Sequence, residues 1–181
     1  MIIDGKDYKI NYTYEGFKNQ TQRTRWLKMN IAKYIDHTLL KPEATSEDIS
    51  RICKEAKQYK FASVCVNPFN IKQVSDELKG SNVKVCAVIG FPLGATTTQV
   101  KVSEAIDTVI DGAHEVDMVM NIGAFKGQKY DKVLKDIKEV VLAVRNRDVK
   151  VKVIIECCLL ADEEKRKATK LIVESGAHYV K

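Results

Sequence analysis

Two short stretches decide the fold: Gly112-Ala113-His114-Glu115-Val116-Asp117 and Gly176-Ala177-His178-Tyr179-Val180-Lys181. Each begins at a glycine that ends an amphipathic helical pattern, and each then enters a β-rich run. They lie 64 residues apart, the length of two strand–helix units. An internal repeat of this kind makes Asp117 and Lys181 structural equivalents on the fourth and sixth strands of a regular series.

The rest of the series can be read outward from these copies. The strands are expected at Tyr34–Leu39, Phe61–Asn67, Val83–Ile89, Glu115–Ile122, Val149–Glu156 and from His178 onward. Between them run helical periods such as Ile49, Ile52, Cys53, Ala56 and Val133, Leu134, Ile137, Val140, Val141, Val144. Thr45, with Asp48 three residues on, suits a helix start, and Gly80, Gly112 and Gly176 suit helix ends. Strict strand–helix alternation predicts parallel strands joined by crossover helices, as an open doubly wound sheet or as part of a (β/α)8 TIM barrel. Neither GxGxxG nor GxxxxGK[ST] occurs, which weakens the nucleotide-binding sheet. The 181 residues are too few for a complete barrel, which typically needs about 250. The expectation is a barrel present only through about its sixth strand.

In a barrel, alternate strands fill the same interior layer. The repeat therefore aims an acid and a lysine inward at similar depth. Period-2 reading adds Asp36 and Thr38 on the first strand, and Ser63, Cys65 and Asn67 on the second. It adds Glu115, Asp117 and Asn121 on the fourth, and Lys152 and Glu156 on the fifth. Polar groups on the inner faces of several strands are costly unless they pair or carry out chemistry. A strand-end lysine following an apolar residue is a candidate amine nucleophile. It would attack a carbonyl, form a carbinolamine and then a Schiff base, and the iminium would accept electrons during carbon–carbon cleavage. Asp117 suits the proton shuttle, and Lys152 suits pairing with Asp117 or Glu156.

Composition narrows the alternatives. The formal charge is +6, but half of the excess lies in residues 1–28, and the remainder is nearly balanced. Its lysines alternate with acids along helix-like stretches, so no nucleic-acid stripe is expected. No apolar run reaches membrane-span length, and the start lacks the apolar stretch of a signal peptide. Residues 1–28 are read as a polar N-terminal extension and residues 29–181 as the partial barrel domain. The five cysteines, Cys53, Cys65, Cys86, Cys157 and Cys158, show no metal-ligand spacing and suit free thiols in a reducing, cytoplasmic compartment. Cys157 and Cys158 are expected on a strand, facing opposite ways. His37, His114 and His178 are read as structural or solvated, with no metal set.

Five collinear segments resemble deoxyribose-phosphate aldolase: residues 34–42 (YIDHTLLKP), 63–68 (SVCVNP), 88–94 (VIGFPLG), 115–119 (EVDMV) and 152–156 (KVIIE). The resemblance runs from about Asn30 to Lys181. It implies a class I lyase on a TIM barrel, with no metal or other cofactor, that cleaves 2-deoxy-D-ribose 5-phosphate to acetaldehyde and D-glyceraldehyde 3-phosphate. It implies Lys181 as the Schiff-base lysine and Asp117 as the proton-shuttling acid. Asp36, Cys65 and Lys152 then line the substrate site. The implied partners are a small sugar phosphate and an aldehyde, with a homodimer left open. His114 and His178 stand where the family has aspartate in its Gly-Ala-Asp copies, and Cys157 stands where it commonly has threonine. The family pattern continues past its Schiff-base lysine with two more strand–helix units, a second essential lysine and a Gly-Gly phosphate loop. The 181-residue chain is therefore expected to have little aldolase activity. The alternatives are a non-catalytic fragment or pseudoenzyme that binds sugar phosphates or a partner, and a different Schiff-base enzyme on the same scaffold.

Overall fold

The computed structural model describes residues 2–3, 6–7 and 31–181. The chain divides into two units, Met1–Ile31 and Ala32–Lys181. In the first, strands β1 (Ile2–Ile3) and β2 (Lys6–Asp7) pair antiparallel. The rest of the polar stretch 1–28 lies outside the described residues.

The second unit is a parallel sheet wound in one direction. Its strands are β3 (Asp36–Leu39), β4 (Ser63–Val66), β5 (Lys84–Ile89), β6 (Glu115–Val119), β7 (Lys150–Ile154) and β8 (Tyr179–Val180), and their order in space is their order in sequence. A doubly wound sheet would reverse direction at a switch point, and none occurs here. Helices α1 (Ser46–Tyr59), α2 (Ile71–Leu78), α3 (Thr98–Ile110), α4 (Ile122–Lys126), α5 (Tyr130–Val144) and α6 (Asp162–Ser175) lie between the strands in sequence.

The sheet is strongly curved. From β3 to β7 is four strand spacings, about 19 Å if the sheet were flat. Yet Lys152 Nζ on β7 lies 2.7 Å from Asp36 Oδ2 on β3. No lysine–aspartate pair spans a flat sheet of that width, so six strands form an arc of a barrel whose inner side chains meet across the hollow.

Two apolar layers cover the outer face. Ile49, Ile52 and Ala56 of α1 and Val74 and Leu78 of α2 pack against Val64, Val66, Val85 and Ala87. Residues of α3, α5 and α6, including Ala105, Ile137, Val140, Ala168 and Ile172, pack against Val116, Met118, Val151 and Val153. Burial of these residues supplies the main driving force for the fold. The inner face has a much smaller apolar cluster, Cys65, Cys86 and Val88.

Local signals explain the boundaries. Thr45 and Asp48 form a capping box that starts α1. Gly112 and Gly176 take φ values of +107° and +82°, a region that favours glycine, as the chain turns from helix to strand. The expected fourth strand ends early, at Val119. Asn121 does not continue the inner face, because its side chain accepts from Ala124 N (2.9 Å) and starts α4. The expected fifth strand also ends early. Cys157 and Cys158 occupy an exposed 3₁₀ turn, Cys157–Leu159, rather than a strand. Glu156, at φ +53°, leaves the strand and accepts from Cys158 Sγ (3.0 Å), so it does not share the inner face with Lys152.

The two repeat copies make the same joint. His114 N donates to Val85 O (2.8 Å), and its Nδ1 accepts from Val85 N (3.2 Å). His178 does the same with Val151, at 2.8 and 3.0 Å. An aspartate carboxylate could accept the same N–H, which accounts for histidine standing in the aspartate position. Burial and the Lys84 charge hold His114 below the ordinary imidazole range, with Glu115 opposing. The unfolded chain therefore binds the proton more readily. Stability is expected to be level above about pH 6.5 and to fall as pH drops through that value. Both rings are solvent-exposed, so the loss stays below about 1.4 kcal/mol. Urea midpoints measured from pH 8 to pH 5 should show this slope, and His114→Asp should flatten it.

Candidate active site

The inner face carries an ionic cluster built from three strands and the residue that follows β8. Lys152 Nζ lies 2.7 Å from Asp36 Oδ2, 2.8 Å from Glu115 Oε2 and 3.1 Å from Asp117 Oδ1. Lys181 Nζ pairs with Asp117 Oδ2 and lies 3.2 Å from Asp36 Oδ2. Ser63 Oγ donates to Asp36 Oδ1 at 2.7 Å. Cys65 Sγ donates to Asp117 Oδ2 at 3.9 Å. Asp117 is fully buried, and Lys152 is 6% exposed.

The structure thus brings Asp36, Cys65, Asp117, Lys152 and Lys181 into one centre. The repeat's central expectation, that Asp117 and Lys181 reach the same depth, appears as a direct ion pair. Lys152 pairs with Asp117, whereas the expected alternative partner Glu156 turns away. Glu115 belongs to the cluster too, and its place on Asp117's face was readable from period 2. Cys86 was not singled out from the sequence. It lies opposite Cys65 in the β4–β5 register, also fully buried. The alternation of strand β5 held the signal.

The charges are mutually reinforcing. Burial works to raise the Asp36 carboxyl, but hydrogen bonds from Lys152 and Ser63 and both ammonium charges outweigh it and hold it below the ordinary range. Burial works to lower the Lys181 ammonium, but the charge and hydrogen bond of Asp117 outweigh it and raise it above the ordinary lysine value. Lys152 moves up for the same reason, with burial opposed by Asp117, Asp36 and Glu115. Lys181 is therefore poised in position but held as an ammonium ion.

Beyond the inner face, an open groove of about 690 Å³ lies between α3 and α5, lined by Val102, Ile106, Lys132, Lys135 and Glu139 among others. It contains none of the residues of the ionic cluster. No helix among the described residues is long and apolar enough to cross a membrane.

Residues 30–181 match the model of the DeoC/LacD family aldolases. A deoxyribose-phosphate aldolase from Clostridium tetani is 58% identical over 153 residues, covering 84% of this chain and 70% of the relative. One from Aciduliprofundum boonei is 58% identical over 151 residues, covering 83% and 68%. Among solved structures, the tetrameric deoxyribose phosphate aldolase of Aeropyrum pernix superposes with a TM-score of 0.77 at 32% identity. That match covers 83% of this chain and 62% of the other. An aldolase named QR15 gives 0.80 at 40% identity, covering 84% and 67%. The chain spans about two thirds of the proteins it matches. With the same curved sheet and a matching sequence over nearly all of its second unit, the chain belongs to the DeoC/LacD aldolase family.

Proposed function

We propose that the inner-face cluster performs class I aldolase chemistry on 2-deoxy-D-ribose 5-phosphate, with Lys181 as the Schiff-base amine and Asp117 as the proton shuttle. The observation that carries this reading is the ion pair between Lys181 and the fully buried Asp117, with Asp36 and Lys152 beside it. Neutral Lys181 Nζ adds to the aldehyde carbon of the open-chain sugar, and the carbinolamine loses water to give the iminium. Asp117 accepts the proton of the C3 hydroxyl, two carbons from the iminium carbon, across the C2–C3 bond that is to break. The carbon–carbon bond then breaks, and its electron pair moves into the iminium. D-Glyceraldehyde 3-phosphate leaves, the enamine takes a proton back, and hydrolysis releases acetaldehyde. Asp36, Cys65 and Lys152 line the space where the sugar would sit. In this reading the protein acts in the cytoplasm on small molecules, and residues 1–28 form a separate polar extension.

The arrangement also supports weak turnover by the 181-residue chain. Nucleophilic attack needs the free amine, and the raised Lys181 ammonium leaves little of it at neutral pH. Reductive trapping with acetaldehyde and cyanoborohydride, mapped by peptide mass spectrometry, tests both points. Lys181 is expected to be labelled, more slowly than the exposed lysines at neutral pH because its ammonium is raised, with a rate that rises about tenfold per pH unit below its pKa. Labelling spread over surface lysines with Lys181 untouched would overturn the assignment and leave a non-catalytic binding role.

A further inference from the structure

We propose that Cys65, Cys86 and Asp117 form a binding site for a soft divalent cation, zinc or cadmium, on the inner wall of the sheet. The three residues come from adjacent strands β4, β5 and β6, and all are fully buried. Their donor atoms lie within 4.8 Å of one another. Metal–sulfur bonds near 2.3 Å and metal–oxygen bonds near 2.1 Å set donors about 3.5–3.8 Å apart, so a small inward contraction suffices. Asp117 Oδ1 accepts no hydrogen bond, although Lys152 Nζ lies 3.1 Å from it.

The charge balance favours exchange of protons for metal. Asp36, Glu115 and Asp117 with Lys152 and Lys181 give the cluster a net charge of about −1. Loss of both thiol protons and gain of one divalent cation leaves that net charge unchanged. Two thiolates select zinc or cadmium over magnesium or calcium, whose preferred ligands are oxygen atoms. Three protein donors leave a fourth position open. The cation would share Asp117 with Lys181, whose half-exposed side chain marks the route inward. Metal occupation and proton shuttling by Asp117 therefore exclude one another. The binding itself does not depend on the aldolase reading.

The test uses the full chain carrying Cys157→Ser and Cys158→Ser, which removes the two exposed thiols, in a phosphine reductant. Cadmium is titrated while the ultraviolet sulfur-to-cadmium charge-transfer band is followed. One equivalent is expected, with a band of two-thiolate intensity. Affinity should rise on the order of 100-fold per pH unit, because two protons leave. Cys65→Ser and Cys86→Ser should each halve the band and weaken binding by more than about tenfold. A band that is absent, or that survives both substitutions unchanged, overturns the site. If a serine variant does not fold, cadmium NMR of the parent chain decides. A mixed thiolate–carboxylate shift supports the site, and a shift for oxygen or nitrogen ligands alone overturns it.

Discussion

Asp136→Ala is expected to lower the unfolding free energy by about 3–5 kcal/mol, a drop in Tm on the order of 10 °C. Lys101 of α3 is fully buried. Its Nζ lies 2.6 Å from Asp136 Oδ2 on α5 and donates to Val119 O at 3.0 Å, and Thr98 Oγ1 donates to Asp136 Oδ1 at 2.8 Å. Removing the carboxylate leaves a buried ammonium with one carbonyl for company. The cost comes from the stranded charge rather than from the lost attraction, so the double substitution Lys101→Met/Asp136→Leu should recover much of it. Urea denaturation of the single and the double variant checks this. A single-variant loss within about 1 kcal/mol would mean that the ammonium reaches water. Val119 closes the strand that carries Asp117, so the pair also fixes one wall of the candidate site from behind.

Lys152→Met should have an effect of similar size and a chemical signature besides. Asp36, Glu115 and Asp117 all depend on this ammonium. Its loss leaves three clustered carboxylates facing Lys181 alone, at a cost of about 3–5 kcal/mol near neutral pH. The difference from the parent chain should narrow as pH falls below the ordinary carboxylate range, because the Asp36 carboxyl that Lys152 helps hold low then takes up its proton. Lys152 also works to lower the Lys181 ammonium. Removing it should therefore raise that group further and slow reductive labelling of Lys181 at a given pH. Faster labelling in the folded variant would show that Lys152 does not act on Lys181 by charge.

The features legible in the sequence were those with a period. Alternating strands and helices, the 64-residue repeat and the two-residue parity of the strands place Asp36, Cys65, Asp117, Lys152 and Lys181 on one surface. What escaped was where each strand stops. Asn121 and Glu156 continue the parity of their strands in sequence, but one caps a helix and the other enters a turn with positive φ. Periodicity carries no record of a strand's end when no glycine or proline marks it. The Lys101–Asp136 pair escaped for a different reason. Its partners lie 35 residues apart on helices that both look amphipathic, and a buried lysine has the same letter as an exposed one. For the histidines the sequence left structural and solvated roles open, because a matched pair of bonds to a neighbouring strand's backbone has no signature in residue type or period.

The contact between Asp36 and Lys152 acts as a chord across the arc. Along the sheet the two residues are separated by four ladders of backbone hydrogen bonds. Through the hollow they touch. A displacement of one end of the arc is therefore felt at the far side without passing through the strands between, and the bending stiffness of the sheet depends on a few ionised groups at its centre.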